Sequence, residues 1–431
     1  MKTALFIILP YSSHYNACNG LRQYLEQEGY RTLVTVTPNL QVYAQGLGYE
    51  TLPLRYVKES YIKSLKVWLA VLLSSWLNPL FVKKRYRSFL EEVHAIEDIV
   101  KQQRPHCIYI ESHLGYYYVF LKRFGISVEL VQTKLSVRQY DGIPPMTCDT
   151  VFKDSLLYRC WANLLWWRYQ AAKRTKGLFT KVAYLGKDDA YFLERIARQN
   201  KLDPKKLFNY ANISYLGMNE VSTQILCPNV LEYSWKKLLP RERHIWYNIG
   251  ENKRSTWPFW EELKAIKQNY RIVFCSLGTL ETIDFQAAIV FLRKVIEVHK
   301  NLPDVFLIIS AGTLGQKLKA SNSTLRVYEW VPQKELLPHC DLMITHGGLN
   351  SIKECVLAEV PMLVYPLNLK IDQPGNAARV VYHGLGLKGN LRNETPQVLK
   401  AKIENLLNNS AYRTKISQIK AYFISDAVTN K

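Results

Sequence analysis

The run "TALFIILP" at residues 3–10 is apolar throughout. A strand with no polar face has to be covered on both sides, as in a parallel sheet. It is followed by "NACNGLRQYLEQEGY", in which Leu21, Tyr24 and Leu25 recur at helical spacing before Gly29, and then by a second apolar strand, "RTLVTVTP". Strand, helix and strand in this order predict a βαβ unit. "HCIYIES" (106–112) and "SVELVQT" (127–133) read as later strands of the same sheet, with "GYYYVFLKRFG" as the helix between them. The pattern restarts at "RIVFCSLGT" (271–279). It continues through a helix near 285–299, strands "DVFLIIS", "LRVYEW" and "DLMITH", a helix from about 350, strand "PMLVYP" and a helix from about 374. The expected fold is α/β, with two Rossmann-like parallel-sheet domains facing a cleft. The first spans 1–250, a linker 251–268 and the second 269–431, its last helix free to pack back on the first domain. A length of 431 residues suits two such cores.

Net charge narrows the partners. Lys and Arg number 57 against 36 Asp and Glu, a formal +21, which attracts polyanions or an anionic membrane surface. There is no arginine-rich arm, zinc-finger spacing or RNP-like aromatic motif, so nucleic acid is not expected. The eight Cys are scattered without a CxxC, and several sit in apolar runs, as free thiols do in a reducing cytoplasm. The N-terminus lacks a sizeable basic region and a small-residue cleavage site, so it reads as the first strand rather than a leader.

Residues 55–87 hold eight Lys or Arg and one Glu. Within them the apolar stretch 67–82 is short for a membrane span and contains Asn78 and Pro79. Two readings stand: a helix hairpin packed in the first domain, or a helix lying in a membrane interface or lining an apolar cleft. "SLLYRCWANLLWWRYQ" (155–170) has the same character. Tyr61, Trp68, Trp76, Trp161, Trp166 and Trp167 are candidates for an apolar binding surface.

Chemistry concentrates in "THGGLNSIKE" (345–354), between a strand and a helix. A glycine turn opening a helix presents free backbone N–H groups and a positive dipole end, an anion site. Gly347 and Gly348 allow close backbone approach. His346, Asn350 and Ser351 can donate to phosphate, and Glu354 can accept from hydroxyls. Ser351 and Glu354 alternatively form a capping box. "GLGLKG" (384–389) fits the dinucleotide spacing, but it follows a helix and opens none, so Gly384 reads as a helix C-cap.

From Trp330 the chain runs W-x-P-Q, T-H-G-G-x-N-S-x-x-E, V-P, P, D-Q-P and N-A-A-R, with "SLGT" at 276–279 before it. This series resembles the donor-binding signature of family 1 UDP-glycosyltransferases of the GT-B fold, and within them the zeaxanthin glucosyltransferase group. The resemblance implies that Trp330 stacks on uracil with Gln333 at the base edge. It implies that His346, Gly348, Asn350 and Ser351 hold the diphosphate, with the backbone of Gly278 and Thr279 approaching from the other side. Glu354 would take the ribose hydroxyls, and Asp372 and Gln373 the sugar. The stretch from Pro366 to Asp372 is about two residues longer than the bacterial pattern.

His14, in "SSHYNA", stands at the carboxyl end of the first strand, where open α/β sheets bind ligands. The resemblance makes it the general base that deprotonates an acceptor hydroxyl, with inversion and UDP as leaving group. Glu111, where the family has an Asp, is the expected orienting carboxylate; Ser112 and His113 are alternative neighbours. No D-x-D occurs, and neither metal nor cofactor is expected. The implied function is transfer of a sugar, glucose first, from a UDP-sugar to an apolar small-molecule or lipid-like acceptor such as a carotenoid. The protein would be cytoplasmic, with peripheral contact to the inner face of the membrane. The alternatives are a sugar-nucleotide epimerase and a non-catalytic nucleotide-sugar-binding or membrane-scaffold protein.

Overall fold

A computed structural model describes residues 1–54, 64–213, 215–247, 257–278, 285–318 and 322–428. Thr279, Tyr61 and the first part of the expected linker lie outside the described residues. The first sheet has seven parallel strands: β1 (Lys2–Ile7), β2 (Tyr30–Val36), β3 (Glu50–Pro53), β4 (Cys107–Glu111), β5 (Ser127–Gln132), β6 (Thr223–Ile225) and β7 (Glu242–His244). Their order is 3-2-1-4-5-6-7. The second sheet has six: β8 (Arg271–Ser276), β9 (Val305–Ser310), β10 (Leu325–Tyr328), β11 (Leu342–Thr345), β12 (Met362–Val364) and β13 (Gly386–Lys388), in the order 10-9-8-11-12-13. All pairings in both are parallel. In both sheets the strand order reverses beside the first strand, which opens a crevice at the carboxyl ends of β1 and β4 and again at those of β8 and β11.

The expected linker differs from the structure in its second half. Helix Trp260–Asn269 begins inside it, and Phe259, Leu263 and Ile266 pack with Ile272, Phe274 and Phe306 of the second sheet. That apolar cluster also includes Leu135, Trp166, Ile225 and Trp246 of the first domain, so the domains share a core at their junction. The last helix, Ala411–Ser425, places Phe423 against Trp246 at 5.5 Å, and the backbone at 427–428 then pairs with 246–247. A buried ion pair also joins the domains: Arg379 donates to Glu232 Oε2 at 2.6 Å, while Lys236 and Ser136 donate to Oε1.

The stretch expected to be one helix after β4 is instead a series of 3-10 turns around a single α turn, from Ser112 to Phe124. Leu65–Leu77 is a helix that ends at Asn78, and Pro79–Gln103 leaves at an angle of 104°. No single helix among the described residues is long and apolar enough to cross a membrane. The picture of a hairpin with its apolar face packed inside does not hold for the first of these helices. Only Ser75 of Leu65–Leu77 is buried, while Leu65, Trp76 and Leu77 are about 70% exposed.

Candidate active site

The crevice of the first sheet is built on one carboxylate. Glu111 ends β4, wholly buried, and its Oε1 lies 2.6 Å from His14 Nδ1 and 2.8 Å from His113 Nδ1. Thr133 Oγ1 donates to the same oxygen at 3.3 Å, and the Leu9 amide donates to Oε2 at 2.9 Å. Burial alone would push this carboxyl up. The two imidazoles outweigh burial and hold it well below the ordinary carboxylate range. His14 sits in the first turn of helix Ser12–Gln27, directly after β1. Of the neighbours considered for it, Glu111 is the one in contact. Ser112 turns away to the Val131 carbonyl, and His113 bonds Glu111 rather than His14.

His113 has a partner the sequence did not indicate. Lys134 Nζ lies 3.2 Å from His113 Nε2, which fixes the neutral tautomer with its proton on Nδ1, facing Glu111. Burial and the Lys134 charge bring this imidazole down to about 4. The rule that ligands gather past the ends of parallel strands could have found Lys134, since it is the second residue after β5.

In the second domain, the turn after β11 leads into helix Leu349–Ala358, whose N-cap is Gly348. Ser351 therefore lies inside the first turn and is no cap; Gln333 Nε2 donates to its hydroxyl at 3.1 Å and to Glu354 Oε2 at 2.7 Å. The capping-box reading is thereby set aside. The His346 ring is wedged between two glycine backbones. A Cβ on Gly278 (φ +76°) would lie 2.5 Å from its Cε1, and one on Gly348 would lie 2.7 Å from its Nε2. Burial brings His346 to about 4 against the opposing pull of Asp372. Burial raises the Glu354 carboxyl above its usual range, against the pull of Gln333 and Lys353.

Asp372 precedes helix Gln373–Tyr382 and accepts from Asn376 Nδ2 at 3.1 Å; the same amide group donates to the Gly347 carbonyl at 2.8 Å. Asn376 thus ties the turn to Asp372, a role sequence reading did not assign. Gln373 Oε1 accepts from the Leu367 and Asn368 amides, both at 2.8 Å, and so holds the 366–371 loop. Trp330 is 67% exposed. Among the contacts that join the two halves, Asn350 Nδ2 donates to the Ser13 carbonyl at 2.9 Å, and Lys134 Nζ lies 3.9 Å from Asp372 Oδ1. Between helices Ser12–Gln27 and Leu349–Ala358 is a cavity of about 60 Å³, lined in part by Asn16, Trp246, Asn350, Lys353 and Glu354. The aromatic candidates do not converge here. Trp76, Trp161 and Trp167 are exposed, and Trp166 is buried with its N–H on the Ile143 carbonyl.

Known proteins resemble this chain in sequence over its second domain and in backbone over nearly its whole length. The family described as UDP-glucoronosyl and UDP-glucosyl transferase matches residues 248–423. The zeaxanthin glucosyltransferase of Pantoea ananas is 29% identical over 151 residues, 34% of this chain and 33% of that protein. A UDP-glucuronosyltransferase of Pleuronectes platessa is 36% identical over 107 residues, 24% of this chain and 22% of that one. These matches span between about a fifth and a third of the relatives' own length. Among solved structures, the kitacinnamycin glycotransferase aligns with TM-score 0.65 at 19% identity, covering 98% of this chain and 95% of that one. The spinosyn rhamnosyltransferase SpnG in complex with spinosyn aglycone aligns with TM-score 0.66 at 16% identity, covering 99% and 97%. Over residues 248–423 the chain matches the UDP-glucoronosyl and UDP-glucosyl transferase family, and its backbone has the GT-B fold.

Proposed function

We propose that the protein transfers a sugar, glucose first among candidates, from a UDP-sugar to a hydroxyl of an apolar acceptor, with His14 as general base. The observation that carries this reading is the 2.6 Å contact between His14 Nδ1 and Glu111 Oε1. A buried carboxylate on Nδ1 leaves Nε2 as the basic nitrogen and stabilises the cation formed when His14 takes the acceptor proton. The freed oxygen attacks the anomeric carbon in line as the bond to UDP breaks, with inversion. Charge developing on UDP is met by the amides opening helix Leu349–Ala358 and by the His346 N–H. Glu354, positioned by Gln333, accepts from the ribose; Asp372 and Gln373 face the sugar, and Trp330 stacks on the base.

The reaction needs neither metal nor cofactor in this proposal. His14, Glu111 and His113 do form a cluster of metal-ligand type. Their nitrogens lie 2.6 and 2.8 Å from the shared oxygen. Tetrahedral ligands about 2.1 Å from a metal sit roughly 3.4 Å apart, so the spacing is that of hydrogen bonds. All eight Cys are free thiols, which supports placing the protein in a reducing cytoplasm; there it would meet its acceptor at the inner membrane face. The test is UDP release from UDP-glucose with a lipid and pigment extract, read with product masses. Activity should survive chelator, and Glu354→Ala should weaken UDP-glucose binding about 10- to 100-fold, the loss of a charged hydrogen bond. Loss of activity on chelation, or unchanged donor binding in Glu354→Ala, overturns the site.

A further inference from the structure

Helices Leu65–Leu77 and Leu156–Ala183 lie side by side on the first domain. Trp68 Nε1 donates to the Phe179 carbonyl at 2.7 Å, and the two rings meet edge to face at 6.1 Å. Their outer sides are apolar and uncovered. Leu73, Trp76 and Leu77 on the first helix and Leu164, Trp167 and Leu178 on the second are each at least half exposed. Large exposed apolar side chains gathered on two adjacent helices mark an interaction surface.

Charge identifies the partner. Residues 64–90 contain five Lys or Arg and residues 155–187 contain seven, with no Asp or Glu in either. A surface made for a second protein chain, or for another copy of this strongly basic one, would have to place these cations against each other or against carboxylates. An anionic bilayer meets both demands, since acyl chains take the Leu and Trp side chains and headgroups take the cations.

We propose that helices Leu65–Leu77 and Leu156–Ala183 form one docking face for an anionic lipid bilayer. This deepens the membrane part of the proposed function, because it would deliver acceptors dissolved in the bilayer, but the docking itself does not depend on catalysis. Helix Leu156–Ala183 contributes Leu164, Trp167 and Leu178 to the face beside the shorter helix. The chain bends by 104° after Leu65–Leu77, so Lys83, Lys84 and Arg87 stand on the next helix, which does not continue a straight span.

The test is co-sedimentation of the full chain with phosphatidylglycerol-rich and with pure phosphatidylcholine vesicles at low and high salt. Binding to the anionic vesicles alone, released by high salt, is expected. Leu73→Glu with Leu77→Glu, and separately Leu164→Glu with Leu178→Glu, should each lower the partition coefficient at least tenfold. Lys83→Ala with Lys84→Ala should lower it about 25-fold, at roughly fivefold per charge. These side chains are exposed, and an unchanged unfolding midpoint shows that each variant folds. UDP-glucose affinity serves as the separate readout: unchanged affinity with lost vesicle binding supports the proposal. Vesicle binding unaffected by both Glu pairs overturns it, as does no binding to either vesicle. Concentration-dependent dimerisation abolished by the same variants, without vesicle binding, also overturns it and assigns the face to a second copy.

Discussion

Lys134 Nζ lies 3.9 Å from Asp372 Oδ1, across the boundary between the two sheets. The same ammonium is 3.2 Å from His113, which shares the Glu111 oxygen with His14. One cation therefore contacts both the imidazole that shares Glu111 with His14 and the carboxylate expected to face the sugar.

Replacing that cation should be felt on both sides. In Lys134→Met, His113 loses the charge that helps hold it at about 4, while Glu111 still pulls its pKa up. Its protonation then moves to higher pH. The acid limb of the pH–rate profile should shift up by about one unit, and KM for UDP-glucose should rise as Asp372 loses its partner. A purely structural role would change stability and leave the shape of the pH profile as it was.

His14→Ala should leave UDP binding intact and reduce turnover by about 10² or more. Glu111→Gln keeps the size of the side chain and removes the charge that stabilises the His14 cation; its loss should also fall on kcat rather than on donor affinity. Single-turnover kinetics with UDP-glucose separate the two quantities. Full activity in His14→Ala would sink the general-base assignment.

Burial holds His346 at about 4, and a diphosphate beside it favours the cation. UDP-glucose binding should therefore take up a proton and tighten as pH falls from 7 to 5, because the phosphates of that diester do not titrate there. Calorimetry in two buffers of different ionisation heat measures the uptake, and His346→Gln should abolish it. The unliganded fold should respond in the opposite sense. With a folded value below the unfolded 6.5, His346 and His113 contribute stability that is whole above pH 6.5 and declines as pH falls toward 4.

Glu232 is buried between Arg379 and Lys236, and it is held well below the carboxylate range because the two cations outweigh burial. Glu232→Gln leaves both cations without their counter-charge. It should cost about 3–5 kcal/mol in denaturant unfolding. An unfolding curve equal to wild type would mean that water reaches the cations at this junction.

The sequence was most legible where burial is two-sided. Runs such as Leu5–Ile8 and Ile272–Cys275 are wholly apolar, and the structure buries them completely or nearly so. The outer strands "ETLP", "TQI" and "ERH" carry no such signal; they are short and polar, and neighbouring strands supply their pairing. In the site, the turn at 346–348 was readable because only glycine leaves room for the His346 ring. The Lys134–His113 contact and the Asn376 tie were not, since each joins residues on different strands or loops that no local spacing connects.

The chain's return to its starting domain sets a rule for building hybrids. Backbone 427–428 pairs with 246–247, and Phe423 packs on Trp246. A donor half grafted from a relative at residue 257 or so would bring a foreign tail to this ribbon. Hybrids that keep this protein's own 411–428 with its first half should express and fold better than those that exchange everything past the crossover, because the unit of exchange is then discontinuous in sequence and continuous in space.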